Sequence, residues 1–259
     1  MDLGISGLNA LLLGSTQGLG LSCAKSLAEA GVRVVINGRD AEKAKKAAAD
    51  LGGEAHAVAG DVSDPAERRR IVEEARKLAG PISILVTNAG GPPPGPLEEH
   101  SHEVWRKALE GNMLAAIDFA GLVLPDMRAA GFGRIVNVTS FTVREPYPNM
   151  GLATGVRAGL TGAMASLARE VAREGITVNN ILPGLMDTGA LQRVYDAQAA
   201  REDITPEAAK ARMAESVPMG RLGEAEDFGP VCGFLCSRLA GYVTGQNITV
   251  DGGLVRALI

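Results

Sequence analysis

Short apolar runs alternate with longer segments of helical periodicity along almost the whole chain. Most of the runs are nearly continuous in apolar residues, which is typical of parallel strands that are buried on both faces. Because right-handed crossovers through the intervening helices leave few other arrangements, this order predicts a doubly wound α/β sheet with helices on both faces. The seven predicted strands are Leu8–Leu13, Val32–Asn37, Glu54–Ala59, Ile82–Thr87, Arg134–Thr139, Ile176–Leu182 and Asn247–Val250.

Several predicted helices begin with recognisable caps. Asp64 stands directly before Pro65, and Asp40 and Ser101 are further N-cap candidates. No segment between the predicted helices and strands has the composition of a linker, an internal repeat or a low-complexity stretch. We therefore expect one domain over residues 1–259.

One segment differs in character from the rest. Residues 187–218 are polar and helical, rich in Ala, Arg, Gln and Glu, and they follow a predicted strand end. In doubly wound folds, ligands bind at the carboxyl ends of the strands. We interpret this segment as a mobile lid over a substrate, and a plain pair of surface helices is the alternative.

Composition narrows the classes of partner. Hydrophobic residues make up 46% of the chain, enough for a sizeable core, and the net charge of −4 argues against binding nucleic acid or an anionic membrane surface. The three cysteines are too few for a disulfide framework, and Cys232 and Cys236 have no histidine nearby, so we expect no metal site. The first apolar run is too short for a signal peptide, and no run approaches membrane-spanning length. We expect a cytoplasmic protein without a membrane partner.

A glycine-rich segment follows the first predicted strand. Its three glycines permit a tight turn and let backbone amides approach a pyrophosphate, to which the N-terminus of the next helix adds its positive dipole. The segment also opens a strand–helix–strand unit, which is the setting that a dinucleotide site needs. The predicted cofactor-binding residues here are Gly14, Ser15, Thr16, Gln17, Gly18, Leu19 and Gly20.

Further motifs follow the ends of the later strands, and one asparagine lies in the helix after the fourth. They are Asp61-Val62, Asn88-Ala89-Gly90, Asn112, Ser140, and Pro183-Gly184 with Thr188. Together with the Gly-x-x-x-Gly-x-Gly segment, they resemble the motifs of the short-chain dehydrogenase/reductase family over about residues 7–253. Within that family the chain is similar to members of the 3-oxoacyl-(acyl-carrier-protein) reductase kind.

The resemblance implies a Rossmann fold and a nicotinamide-linked oxidoreductase that acts on a small-molecule carbonyl or alcohol. It implies a homo-oligomer, either a dimer or a tetramer, and catalytic roles for Ser140 and Asn112. The implied cofactor contacts are Asp61 and Val62 at the adenine, Asn88, Ala89 and Gly90 beyond the fourth strand, and Pro183, Gly184 and Thr188 on the nicotinamide side.

The end of the second strand bears on the choice between NAD(H) and NADP(H). An NAD(H)-specific site has an acidic side chain there, which accepts from the ribose 2′-hydroxyl. Here Gly38 occupies that position and Arg39 follows it, while we assign Asp40 to capping the next helix. Because an arginine fork suits a 2′-phosphate, we predict NADP(H) in preference to NAD(H).

The Tyr-x-x-x-Lys pair of the family is absent. Alignment of the helix after Ser140 puts Ala153 at the tyrosine position and Arg157 at the lysine position, and no tyrosine of the chain is followed four residues later by lysine. Arg157 keeps the positive charge and can bind the ribose hydroxyls, but we expect no proton transfer from it, because its pKa should stay above about 12. Losing a positioned general acid costs on the order of 10²–10⁴ in rate.

The loop at residues 141–150 contains Tyr147 as a candidate substitute acid, and a surface or subunit-interface tyrosine is the alternative. Arg144 and Glu145 in the same loop either orient a charged substrate or are simply solvated. Two functions therefore stay open. The first is an NADP(H)-dependent oxidoreductase that uses Ser140, with water or Tyr147 as the proton source. The second is a nucleotide-binding protein without turnover, acting as a sensor or as an inactive partner subunit.

Overall fold

The computed structural model describes residues 2–258. Seven strands form one sheet in the order β3-β2-β1-β4-β5-β6-β7, and all neighbouring strands are parallel. This confirms the predicted doubly wound sheet, in which the strand order reverses between β1 and β4. The strands are β1 Asn9–Leu12, β2 Arg33–Gly38, β3 Ala55–Ala59, β4 Ile84–Thr87, β5 Gly133–Val138, β6 Ile176–Pro183 and β7 Asn247–Val250.

Each strand except the last is followed by helical structure. The predicted strand ends agree with the observed ones to within two residues, and the predicted caps Asp40, Asp64 and Ser101 each accept a backbone N–H. The α-helices of the described chain are α1 Gly18–Glu29, α2 Ala41–Leu51, α3 Pro65–Ala79, α4 His102–Leu109, α5 Ala115–Ala130, α6 Gly151–Val171, α7 Gly189–Glu202, α8 Pro206–Glu215 and α9 Ala225–Cys236.

Two apolar layers cover the sheet, one on each face. On one face α3, α5 and α6 pack against the strands through side chains such as Ile71, Phe119 and Met164. On the other face α1, α2 and α9 pack through side chains such as Leu27 and Phe228. Because both faces are covered, the strands are apolar at successive positions, which is the pattern that the sequence shows.

A continuous helical stretch, His102–Ala130, joins α4 to α5 through a wider π-turn at Glu110–Leu114. By length and apolar composition this stretch could cross a membrane, so the expectation that no part of the chain approaches that length is wrong here. In the fold, α5 packs against the sheet instead, with Phe119 and Met127 fully buried.

The segment predicted as a lid forms a helical hairpin of α7 and α8. The two helices share a small apolar cluster of their own, which includes Tyr195, Ala199 and Ala209. At the base of the hairpin, Asp187 pairs with Lys210 of α8 at 2.5 Å. The hairpin is thus packed as a unit directly after the end of β6, and its role as a lid stays a prediction.

Candidate active site

The turn between β1 and α1 has no room for side chains at two of its glycines. Gly14 has a φ of +54°, which glycine adopts without strain, and a Cβ there would lie 2.6 Å from the carbonyl oxygen of Asn88. A Cβ at Gly20 would lie 2.7 Å from the carbonyl oxygen of Gly14. The turn is therefore a cradle of bare backbone at the N-terminus of α1, and such a cradle fits a pyrophosphate.

Hydrogen bonds from neighbouring strands hold this cradle in place. Asn88 donates its Nδ2 to the carbonyl oxygen of Gly14 at 2.7 Å, so its side-chain amide supports the turn. Ser15 is fully buried; its Oγ donates to the carbonyl of Leu12, and its N–H donates to the carbonyl of Asn37. Both donors of Ser15 are thus occupied, which argues against the predicted cofactor contact through them. The N–H groups that open α1 keep the anion-binding role, because the first turn of a helix leaves them without internal partners.

The end of β2 has the features expected of a 2′-phosphate site. A Cβ at Gly38 would lie 2.4 Å from Cγ2 of Thr16, so an acidic side chain would fit there only if Thr16 moved. Arg39 is exposed, and no carboxylate of residues 2–258 forms an ion pair with it. Asp40 accepts two backbone N–H bonds in the first turn of α2, which confirms its assignment as a cap.

Asp61, which follows β3, is held in place by its own turn. Its carboxylate accepts the backbone N–H of Ser63 at 2.9 Å and the Ser63 hydroxyl at 2.7 Å. Burial raises the pKa of Asp61, but these hydrogen bonds and the nearby charge of Arg39 outweigh it, so the pKa lies below its ordinary value. Asp61 is therefore ionised at neutral pH, next to the arginine predicted to bind phosphate.

A buried arginine that the sequence analysis missed connects α3 to the π-turn. Arg68 donates to the carbonyl oxygens of Val62 at 2.9 Å and Glu110 at 3.2 Å, and it pairs with the carboxylates of Glu110 and Asp118 at 2.5 Å. Asn112 lies in this π-turn, and π-turns are frequent at functional sites. Arg68 thus fixes both the predicted adenine contact at Val62 and the turn that presents Asn112. The available signal was its position on the otherwise apolar face of α3.

Ser140 follows β5 and is oriented by Thr142, a second residue that the sequence analysis missed. The Oγ of Ser140 accepts the backbone N–H of Thr142 at 3.2 Å and the Thr142 hydroxyl at 3.0 Å. Because both of these bonds are accepted, the Ser140 hydroxyl keeps its own proton for donation to a carbonyl oxygen. The signal in the sequence was a serine placed to cap the short 3₁₀ turn Phe141–Val143.

Ala153 and Arg157 lie one turn apart on α6. Ala153 is only 4% exposed and brings no polar side-chain atom to the site. Arg157 lines a cavity of about 20 Å³, together with Asn88, Ala89 and Asn112. The structure therefore brings three predicted site segments together around the residue that replaces the family's lysine.

The charge of Arg157 is unusual in its surroundings. Its Nε is buried and has no hydrogen-bond partner in the described part of the chain. Burial lowers the pKa of Arg157 to about 10, which corrects the expectation that it stays above 12. The guanidinium is still protonated at neutral pH, so a full positive charge stands beside the cavity.

Tyr147 and its neighbours do not reach Ser140. Tyr147 is 56% exposed, and its ring packs edge-to-face on Phe141 with 6.1 Å between the centroids. Arg144 donates to the carbonyl of Asn247 at 2.9 Å, and Glu145 accepts the backbone N–H of Arg256. Arg144 and Glu145 therefore help to fix the loop, and Arg144 is exposed, which agrees with the solvated alternative for that residue.

The motif after β6 meets the glycine turn from the opposite side. A Cβ at Gly18 would lie 3.8 Å from Cγ2 of Thr188, so the two segments are in contact range. Thr188 is the N-cap of α7, but its hydroxyl makes no capping bond and is free of the helix. A Cβ at Gly184 would lie 2.6 Å from the Cβ of Asp251, which explains why glycine follows Pro183. Ala89 and Gly90 follow the end of β4.

Comparisons with known proteins agree with this geometry. The profile of the family described as Enoyl-(Acyl carrier protein) reductase matches residues 14–255. Dehydrogenase/reductase SDR family member 4 of Sus scrofa is 35% identical over 253 residues, which are 96% of this chain and 88% of that protein. The 3-oxoacyl-(acyl-carrier-protein) reductase of Haemophilus influenzae is 33% identical over 245 residues, 95% of this chain and 97% of the relative. L-sorbose reductase from Gluconobacter frateurii, solved with NADPH and L-sorbose, has a TM-score of 0.95 at 31% identity, over 100% of both chains.

A parallel doubly wound sheet, a bare glycine turn and an oriented serine at the carboxyl edge define a dinucleotide-binding oxidoreductase fold. The matches extend over nearly the whole chain and include relatives above 30% identity. The chain belongs to the short-chain dehydrogenase/reductase family.

Proposed function

We propose that this protein is an NADP(H)-dependent oxidoreductase that interconverts a small-molecule carbonyl compound and its alcohol at a site without the family's tyrosine and lysine. The observation that carries the proposal is the arrangement of Ser140. Thr142 occupies both of its acceptor positions, so the hydroxyl proton is available to an incoming oxygen. A nucleotide-binding protein without turnover would need Ser140 only as the cap of the Phe141–Val143 turn.

Different residues at the carboxyl edge of the sheet would bind different parts of the cofactor. The turn at residues 14–20 would receive the pyrophosphate, and Arg39 the 2′-phosphate, while Asp61 and Val62 would border the adenine. Ala89, Gly90, Pro183, Gly184 and Thr188 would enclose the nicotinamide side. When bound, the reduced cofactor supplies a hydride equivalent to the carbonyl carbon.

The remaining chemistry belongs to the side chains of this protein. Ser140 donates a hydrogen bond to the carbonyl oxygen and so stabilises the negative charge that develops on it. Asn112 would hold a water molecule at the cavity beside Arg157, whose volume suits one water. With alanine at position 153, the proton comes from solvent water or from Tyr147 after a movement of the loop at residues 141–150. We expect turnover slower by about 10²–10⁴-fold than at a site with a general acid.

A second function is favoured by one specific observation. Ala153 is buried and apolar at the position where the family has its acid. A nucleotide-binding protein without turnover, acting as a sensor or as the inactive partner of an active relative, would retain the cradle and lose this group first.

The decisive experiment measures NADPH oxidation with a broad panel of aldehydes and ketones, next to NADPH and NADH binding by fluorescence titration. We expect oxidation with at least one carbonyl compound. Tight NADPH binding without oxidation of any panel member would favour the second function.

Arg39→Gln tests the cofactor preference. Loss of a charge-assisted bond to phosphate should weaken NADPH binding about 10–100-fold and leave NADH binding unchanged. Lys46→Gln, at an exposed lysine of α2, is the matched control and should change neither affinity. Equal losses for the two cofactors in Arg39→Gln would contradict a 2′-phosphate contact.

We also propose a cytoplasmic location and, from the family resemblance, a homo-oligomer of two or four subunits. Light scattering coupled to size-exclusion chromatography checks the number of subunits, and a monomer would contradict it.

A further inference from the structure

The positive charge of Arg157, a partly buried side chain, lacks a counterion in residues 2–258. Its Nε is enclosed without a partner, and no ion pair with a carboxylate is formed. The acidic side chains that follow the strand ends or flank the π-turn all have other partners: Asp61, Glu110, Asp118, Glu145, Asp187 and Asp251. The protein itself therefore leaves one charge at the site uncompensated.

The cofactor proposed above does not supply the missing negative charge. Its pyrophosphate and 2′-phosphate are assigned to residues 14–20 and to Arg39, which follow β1 and β2. Arg157 lies on α6 and extends toward the end of β4, where its Nη2 is 3.6 Å from the position of a Cβ on Gly91. Ribose hydroxyls would accept hydrogen bonds from Arg157, but they are neutral and leave its charge in place.

Arg157 is partly exposed, but its buried Nε is a donor without an acceptor, which is costly unless a ligand or a water compensates it. The side chain is also an arginine where the family has lysine, and the planar fork of arginine suits the two oxygens of a carboxylate. Ala153, one turn earlier on the same helix, lacks the phenol of the family's tyrosine and contributes only an apolar methyl group. A charged fork with one buried, unpartnered donor beside an apolar neighbour describes a receptor for a planar anion. The anion would lie next to the cavity, whose volume suits one water.

We propose that the substrate of this protein carries a carboxylate and that Arg157 binds it. The substrate class is then an oxo acid, or the matching hydroxy acid, whose carboxylate lies near the reacting carbon. This inference rests on the proposed oxidoreductase function and deepens it, because it names the substrate class of the same site.

The test uses three acids, pyruvate, 3-methyl-2-oxobutanoate and 4-oxopentanoate, each paired with its methyl ester. Their binding to the full chain loaded with NADP⁺ is measured by isothermal titration calorimetry. At least one acid should bind about 10–100-fold more tightly than its ester, as expected for a charge-assisted pair. Arg157→Met should abolish that difference, and Arg157→Lys should keep part of it. Arg169→Met, at an exposed arginine on the same helix, should keep all of it.

Thermal unfolding distinguishes this role from a purely structural one, because replacing a structural arginine would lower the Tm. Without ligand, Arg157→Met should raise the Tm, because it removes a partly buried charge whose Nε has no partner in residues 2–258. A saturating acid should then raise the Tm of the unmodified protein and leave that of the variant unchanged.

Three outcomes would overturn the proposal. They are equal affinity for acid and ester in every pair, no binding of any acid, or an acid preference that survives in Arg157→Met. NADP⁺ binding is titrated first, so failure of the cofactor proposal is seen separately. If NADP⁺ does not bind, the same acid and ester titrations on the cofactor-free protein still decide whether Arg157 forms a carboxylate site.

Discussion

The two halves of the sheet differ in how completely their buried polar groups are hydrogen-bonded. In the nucleotide half, residues 2–80, Asn37 donates to the carbonyls of Val58 and Gly60, and Ser15 is bonded through both of its donors. In the reaction half, residues 81–258, four side chains have a buried nitrogen or oxygen without a partner in the described structure. They are His100, Thr154, Arg157 and Thr177.

This difference indicates that the two halves bind their ligands in different ways. A cofactor of constant shape can be received by backbone amides, and the surrounding side chains are then free to satisfy one another. A buried polar group without a partner is rare in proteins and calls for a ligand, a water or a functional reason. Of the four groups, Arg157 carries a positive charge and lines the cavity, so we expect it above the others to bind a ligand.

The largest effect is expected where the two halves are joined. Arg68→Met removes the bonds from α3 to Val62 and to the π-turn and should lower the free energy of unfolding by about 3–5 kcal/mol. Urea denaturation measures this change, with Arg69→Met at the exposed neighbour as control, which should stay within about 0.5 kcal/mol. A loss below about 1 kcal/mol for Arg68→Met would show that the halves are held together by other contacts.

A smaller effect is expected inside the nucleotide half. Gly20→Ala places a Cβ 2.7 Å from the carbonyl oxygen of Gly14 and 2.8 Å from Cα of Ser15, so backbone must shift. Overpacking of this kind costs about 1–3 kcal/mol, and we expect NADPH affinity to fall about 10–100-fold. Gly121→Ala on α5, with nothing within 4 Å of its Cβ, should leave the affinity unchanged. Unaltered NADPH binding in Gly20→Ala would contradict the cradle.

The smallest effect concerns the ionised carboxylate at the end of β3. The folded pKa of Asp61 lies below its unfolded value, so the stabilisation from its charge is complete above about pH 4 and is lost as pH falls further. Asp61→Asn should therefore be less stable than the unmodified protein at pH 7, by less than about 1 kcal/mol, and equally stable at strongly acidic pH. Thermal unfolding across pH tests this, and a difference that grows toward low pH would reverse the assigned sign.

Much of the fold was predictable because it depends on local patterns. Continuous apolar runs predicted all seven strands to within two residues, and Asp40, Asp64 and Ser101 were identified as caps from their positions alone. Parallel strands covered on both faces leave this trace in any sequence. The helical stretch His102–Ala130 was underestimated, because its apolar positions are spread around a helix rather than gathered in one run.

The residues of the site were predictable from the sequence, but their contacts and their burial were not. The substitution of Ala153 and Arg157 for the family's pair is visible in the chain, as are Gly38 and Arg39. Thr142 and Arg68 were missed because their roles depend on partners that the fold brings to them: Thr142 matters through the Ser140 hydroxyl and Arg68 through Glu110 and Asp118.

The sequence by itself determined the order of strands and helices, the glycine turn and the loss of the tyrosine and lysine, because each follows from residue type and spacing. Only the tertiary structure decided that Ser15 faces inward, that Tyr147 packs on Phe141, and that Arg157 meets no carboxylate among residues 2–258. Those facts depend on which groups meet across the sheet, and the burial that shifts the pKa of Arg157 arises only when α6 packs against the ends of β4 and β5.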